Sequence, residues 1–137
     1  MRDAIPGRMT SDLARGVRLS TALAVLAIAG CASPPIERDV PHLVPRVALS
    51  PYAAHEACVP MRPGDRLDWS YESSTPLAFD LHYREGNALL APIVRSDSQA
   101  DSGTYEARLA ESYCLGFEAG AAGAIVSYRM LLRSPLR

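Results

Sequence analysis

Residues 77–83 read Leu-Ala-Phe-Asp-Leu-His-Tyr, with an apolar or aromatic side chain at every second position. A period of two is typical of a β-strand that buries one face. Residues 85–87, Glu-Gly-Asn, predict a tight hairpin, because glycine and asparagine tolerate the backbone angles of such turns. Residues 88–94 are the predicted return strand, in which Pro92 indicates an edge position or a bulge. This segment therefore predicts a β-hairpin.

The same alternation recurs on both sides of the hairpin. Further strands are predicted at residues 67–71, 105–109, 113–117 and 124–132. Turn-forming sequences separate them at residues 62–65, 97–103 and 118–123. The competing helical segment, residues 50–57, is too short to change this pattern. Short strands at near-regular spacing predict an all-β fold, a small antiparallel β-sandwich of the immunoglobulin-like kind.

Residues 1–30 have the features of a signal peptide. Basic residues precede an apolar run at residues 19–30, which is too short to span a bilayer because spanning takes about 20 residues. The run ends in Ile-Ala-Gly before Cys31, which resembles the lipobox of bacterial lipoproteins. The resemblance implies cleavage before Cys31 and a lipid on its thiol, which would anchor the protein to a membrane. The alternative is an ordinary secretory signal in which Cys31 is incidental.

Residues 31–51 are predicted to be a tether. They hold five of the eleven prolines in the chain, and proline favours extended geometry. Residues 43–49 are apolar enough to form an edge strand instead. Residue 32 is alanine, whereas aspartate there favours the inner membrane in enteric bacteria. The expected location is therefore the cell envelope, at the outer membrane facing the periplasm, with the folded domain at residues 52–137.

Two cysteines remain once Cys31 is assigned to the lipid. Cys58 and Cys114 form an even pair in an exported protein, and an oxidising compartment favours a disulfide between them. Metal or redox chemistry is the alternative. His55 and Cys58 have an H-x-x-C spacing, but two ligands do not make a zinc site, and the sequence has no C-x-x-C motif. We therefore expect no metal and no cofactor.

The order of several short motifs resembles the GOLD (Golgi dynamics) domain of vesicular cargo receptors. The motifs are Cys58, Arg62-Pro63-Gly64, Phe79-Asp80-Leu81, Glu85-Gly86-Asn87, Gly103-Thr104-Tyr105 and Tyr113-Cys114-Leu115-Gly116-Phe117. The resemblance covers residues 58–133 and implies a β-sandwich, a bond between Cys58 and Cys114 and a general binding role. The trafficking role of the cargo receptors does not carry over, because their coiled coil and C-terminal membrane span have no counterpart here. The Phe-x-x-His-Tyr strand is also similar to that of small uncharacterised bacterial lipoproteins.

The charge and the motifs of the sequence exclude several classes of function. The chain has no lysine, which excludes Schiff-base catalysis, and its 14 arginines are scattered among 15 acidic residues, which argues against a nucleic-acid partner. Catalytic motifs such as G-x-S-x-G are absent, so an enzyme is not expected. We expect a non-catalytic interaction module that binds an envelope protein. The alternative is a periplasmic binder of a small ligand, lipid or metal, for which His55 and His82 are the candidate ligand-binding residues.

Overall fold

The computed structural model describes residues 35–135, which form six β-strands and no helix. The strands are β1 (His42–Leu49), β2 (Ala54–Met61), β3 (Arg66–Glu85), β4 (Ala88–Glu106), β5 (Glu111–Ala119) and β6 (Ala124–Arg133). The all-β prediction is confirmed. Within residues 35–135, no helix is long and apolar enough to cross a membrane. The predicted signal peptide and Cys31, the predicted site of the lipid, lie outside the described residues.

All neighbouring strands pair antiparallel in one sheet. The order is β1-β6-β3-β5-β2, and β4 pairs with β3 along its other side. Residues 66–73 of β3 pair with β6, whereas residues 77–82 pair with β5. The long β3–β4 hairpin therefore belongs to two halves of the sheet, and it turns at Gly86, as the sequence predicts.

The sheet curls because β3 folds back on itself. The rings of Trp69 and Phe79 have centroids only 4.7 Å apart, although ten residues separate them along the strand. A straight strand would separate those residues by about 33 Å, since each residue adds about 3.3 Å. The bend lies between Glu72 and Leu77, where the register with β4 also shifts. Curling brings the two halves of the sheet face to face as the two layers of the domain.

Aromatic side chains fill the space between these layers. Trp69, Tyr71, Phe79, Phe117 and Tyr128 are all buried. The Phe79 and Phe117 centroids lie 5.4 Å apart, and those of Phe117 and Tyr128 lie 5.2 Å apart. Burying each such side chain contributes about 2–3 kcal/mol, and well-placed aromatic pairs add about 1 kcal/mol. These five rings therefore join the two halves of the sheet.

The structure corrects the predicted tether. Residues 42–49 form β1, which pairs with β6, so the alternative of an edge strand is right and the domain boundary at residue 52 is wrong. Val44 and Val47 pack against the core and Leu49 is buried in it. This burial stabilises the segment as a strand of the sheet. Pro45 is tolerated because β1 lies at the edge of the sheet, where a missing backbone N–H need not cost a hydrogen bond between strands.

The turn predicted at residues 97–103 is also wrong, because this segment continues β4. Its serines and aspartates favour turns, but its backbone pairs with β3 from Ser98 to Gly103. Asp97 has a φ of 105° and lies beside a register shift, so the turn-forming sequence accommodates an irregularity within the strand. The turn predicted at residues 62–65 is confirmed, whereas the one predicted at residues 118–123 begins at Gly120, because Glu118 and Ala119 end β5.

Candidate functional site

A compact polar cluster lies on the outward face of the sheet half that contains β2, β5 and part of β3. Its members, which we call the outer cluster, are Glu56, Cys58, Asp80, His82, Cys114 and Gly116. They occupy two adjacent cross-strand rows, because the register pairs His82 with Cys114 and Cys58, and Asp80 with Gly116 and Glu56. Side chains alternate across a strand, so these residues face away from the aromatic core.

The predicted disulfide between Cys58 and Cys114 is present and forms part of this cluster. The two cysteines are directly opposite on β2 and β5, with their Cα atoms 4.0 Å apart and 56 positions apart in sequence. Tyr113 and Leu115, on either side of Cys114, are fully buried in the core. Cys114 therefore faces the outer side of β5, as expected from the alternation, and Cys58 is exposed.

His82 lies between two carboxylates. Its Nδ1 is 3.2 Å from Asp80 Oδ2 and its Nε2 is 3.7 Å from Glu56 Oε1, and only 12% of its side chain is exposed. When Nδ1 carries the proton and donates to Asp80, Nε2 presents a lone pair towards the Glu56 carboxylate. Two acceptors then face each other across a short gap, which a proton, a water or a cation would fill.

Gly116 makes room for this arrangement. The Asp80 carboxylate lies directly over the glycine, where a Cβ atom would collide with Asp80 Oδ1. Because residue 116 has no side chain, Asp80 can lie across β5 and contact His82. The cluster thus depends on one glycine that lies between two carboxylates in its cross-strand row.

The outer cluster lies in an open groove of about 610 Å³. On the β4 side the groove is lined by Leu89, Val94 and Arg95. Leu89 is 55% exposed and Val94 is 57% exposed, so two large apolar side chains border the same groove. The groove therefore combines a polar floor with an apolar rim.

A second groove, of similar volume, lies on the outward face of the other sheet half. Small side chains line it, among them Ser70, Ser102 and Ser127, and Leu43 borders it. This second groove has no counterpart to the outer cluster among its lining residues.

His55 does not join His82. It lies on the inward side of β2, where its Nε2 is 3.0 Å from the Tyr128 hydroxyl and its ring stacks on Phe117. Burial raises the pKa of the Tyr128 hydroxyl, which keeps it protonated as a hydrogen-bond partner. His55 and His82 therefore face opposite sides of the same sheet half, and His55 also faces away from Cys58.

Sequence reasoning identified Cys58, Cys114 and His82 but missed Glu56 and Asp80. Among residues 35–135, one group of three possible metal ligands is found, Glu56, Cys58 and Cys114, whose donor atoms lie within 4.8 Å of one another. In the disulfide form the two sulfurs are bonded to each other. Asp80 and His82 share a strand face, which the alternation indicated, but the approach of Glu56 depends on long-range pairing. No family model matches this chain, and no curated protein matches it in sequence.

Proposed function

We propose that this protein is a membrane-anchored, non-catalytic interaction module of the bacterial envelope. Its partner is an envelope protein, which binds in the groove over the outer cluster. The observation that carries this proposal is the exposure of Leu89 and Val94 along one side of that groove. Exposed apolar side chains beside polar groups are typical of protein interaction sites, since a partner covers the apolar surface and pairs with the polar groups.

Packing inside the domain supports a surface site rather than an internal one. The aromatic rings of the two layers contact each other, so the interior is a filled core. A binder of a small ligand was expected to bring His55 and His82 together, and these two side chains face opposite sides of the sheet. The resemblance to the GOLD domain, which implies a binding role, points in the same direction.

The lipid anchor and the envelope location rest on the lipobox-like sequence before Cys31. Arg38 is fixed to the domain by its ion pair with Asp65. Arg38 lies seven positions after Cys31 in the sequence, and an extended chain covers at most about 3.6 Å per position. These seven positions span at most about 25 Å, so the proposed partner is one that approaches the membrane surface.

Site-specific photocrosslinking in living cells tests the proposal. A photoreactive amino acid replaces Val94 in the groove of the outer cluster, and a matched chain carries it at Leu43, which is 66% exposed beside the second groove. We expect a discrete envelope protein to be captured from position 94 and not from position 43. Identical adducts at both positions, or none at position 94, would contradict the proposed surface.

A substitution then distinguishes binding from general surface contact. Val94→Arg places a charge on the apolar rim without touching the core, because Val94 is exposed on an edge strand. The crosslinked adduct, measured from a probe at the exposed Leu89 in the same groove, should be lost while the melting temperature stays unchanged. Retention of the adduct would show that the apolar rim does not contact the partner.

A further inference from the structure

We propose that reduction of the disulfide converts the outer cluster into a zinc site with four protein ligands. The ligands are the thiolates of Cys58 and Cys114, Nε2 of His82 and the carboxylate of Glu56. Tetrahedral zinc in proteins takes sulfur, imidazole nitrogen and carboxylate oxygen at about 2.0–2.3 Å. The proposed set, two sulfurs with one nitrogen and one oxygen, matches this preference.

The strand register places the four donor residues on adjacent positions of one sheet face. In a tetrahedral zinc site, neighbouring donor atoms lie about 3.3–3.8 Å apart, as follows from the metal–ligand distances. His82 Nε2 and Glu56 Oε1 are 3.7 Å apart. The Glu56 oxygen and the two sulfurs lie within 4.8 Å of one another. The His82 ring is close to Glu56 but is not part of this group of three, so binding one ion requires the released sulfurs and the His82 ring to rotate towards each other.

The other ring nitrogen of His82, Nδ1, already contacts a carboxylate, as is common for histidine ligands of zinc. Histidine ligands usually donate their other N–H to a carboxylate, which fixes the ring and leaves the metal-binding nitrogen unprotonated. Asp80 accepts from Nδ1 at 3.2 Å, and Gly116 provides the space in which Asp80 lies. Asp80 is therefore a positioning residue for His82 rather than a ligand.

The chemical step balances with a dithiol as reductant. The dithiol transfers two electrons and two protons to the Cys58–Cys114 bond and becomes a disulfide itself, while the two cysteines become thiols. Zinc binding then displaces both thiol protons into solvent. Reduction without a metal would leave two thiols beside the Glu56 carboxylate, which disfavours their ionisation. A dication offsets two of the three negative charges that the two thiolates and the carboxylate carry together.

Cobalt(II) provides the direct test, because tetrahedral thiolate coordination gives it intense visible absorption. The experiment uses the full chain with Cys31→Ser, kept in detergent. This substitution leaves Cys58 and Cys114 as the two remaining cysteines. A phosphine reduces the disulfide and takes up an oxygen atom from water. Cobalt(II) and then zinc are titrated into the reduced and the oxidised chain, with circular dichroism to follow the strand content.

We expect the thiolate–cobalt spectrum in the reduced chain only, with zinc displacing cobalt at a single equivalent. His82→Gln and Asp80→Asn should each weaken zinc binding by about tenfold or more, whereas His42→Gln, on β1, should leave it unchanged. No thiolate–cobalt band, equal affinity in the His82 and His42 variants, or loss of strand content in the reduced, zinc-treated chain would each overturn the proposal.

Discussion

The guanidinium of Arg38 and the carboxylate of Asp65 form two parallel hydrogen bonds, each 2.7 Å long. Asp65 is only 1% exposed and also accepts a 2.8 Å hydrogen bond from the backbone N–H of Arg62. A buried carboxylate is costly unless it is paired and hydrogen-bonded. This pair therefore fixes the segment before β1 to the turn between β2 and β3.

The first prediction concerns the removal of this partner. Arg38→Ala should lower the free energy of unfolding by about 2 kcal/mol near neutral pH, since it leaves a buried charge with fewer hydrogen bonds. Chemical denaturation of the variant and the parent measures this difference. Arg46→Ala is the matched control, because Arg46 is an exposed arginine on the neighbouring strand, and it should change stability little.

The same pair predicts a pH dependence. The hydrogen bonds from Arg38 hold the pKa of Asp65 below its ordinary value of 3.8. A carboxyl with a depressed pKa in the folded state stabilises that state above its unfolded pKa, and the stabilisation is lost as pH falls through the folded pKa. The gap between the parent and Arg38→Ala should therefore be full at neutral pH and narrow below about pH 3.8. A gap that widens in acid would show that Asp65 is not responsible.

The second prediction concerns the disulfide. The double variant Cys58→Ala and Cys114→Ala should lower the free energy of unfolding by about 4 kcal/mol, because the bond closes a long loop and restricts the unfolded chain. The strand-rich circular dichroism spectrum should remain, since the core lies on the other face of β2 and β5. Thermal melts of both proteins with a chelator present measure the effect without interference from metal. Two free thiols in peptide maps of the protein from its native compartment would contradict the structural role.

Local patterns predicted parts of β3, β4, β5 and β6, but they missed β2 and gave β1 only as an alternative to the tether. The strand predicted at residues 105–109 is the end of β4, which stops at Glu106. The alternation at residues 77–83 correctly predicted one half of β3 and its buried face, because a period of two can be recognised within a few consecutive residues. The other half and the bend between Glu72 and Leu77 depend on contacts such as Trp69 with Phe79. These contacts exist only after the sheet curls, so no short window of sequence contains them.

The outer cluster was only partly predictable, because some of its contacts also depend on long-range strand pairing. The number of cysteines predicted the bond between Cys58 and Cys114, since these two remain once Cys31 is assigned to the predicted lipid. The contact of His82 with Glu56 joins β3 to β2 across β5, and it depends on the order of strands in the sheet. Gly116 lies inside β5, as the strand predicted at residues 113–117 implies, but its role in admitting Asp80 depends on the pairing of β5 with β3.

The third prediction is that Cys31 carries the lipid. Cys31→Ser should abolish metabolic labelling with a radioactive fatty acid and leave the precursor unprocessed, because the thiol is the lipid acceptor implied by the lipobox-like sequence. Cys58→Ala combined with Cys114→Ala is the control and should be labelled normally. Labelling and membrane retention that persist in Cys31→Ser would refute the anchor.

The last prediction concerns a glycine in the long hairpin. A Cβ atom at Gly103 would lie 2.7 Å from Cζ2 of Trp69, closer than atoms can pack. The Trp69 ring has little freedom to move, because it is 3% exposed and packs against Tyr71 and Phe79. Gly103→Ala should therefore displace the ring and lower the free energy of unfolding by about 2 kcal/mol, as over-packed cores do.

Gly120→Ala is the control for this substitution. A Cβ atom at Gly120 meets nothing within 4 Å, so its effect should stay within about 0.5 kcal/mol. Trp69 is the only tryptophan, so its fluorescence reports on this packing alone. The emission of folded Gly103→Ala should shift, whereas that of Gly120→Ala should match the parent, because only the first substitution reaches the ring. Unchanged emission and stability in Gly103→Ala would show that β4 can move away from Trp69, and that the close contact does not hold the hairpin to the core.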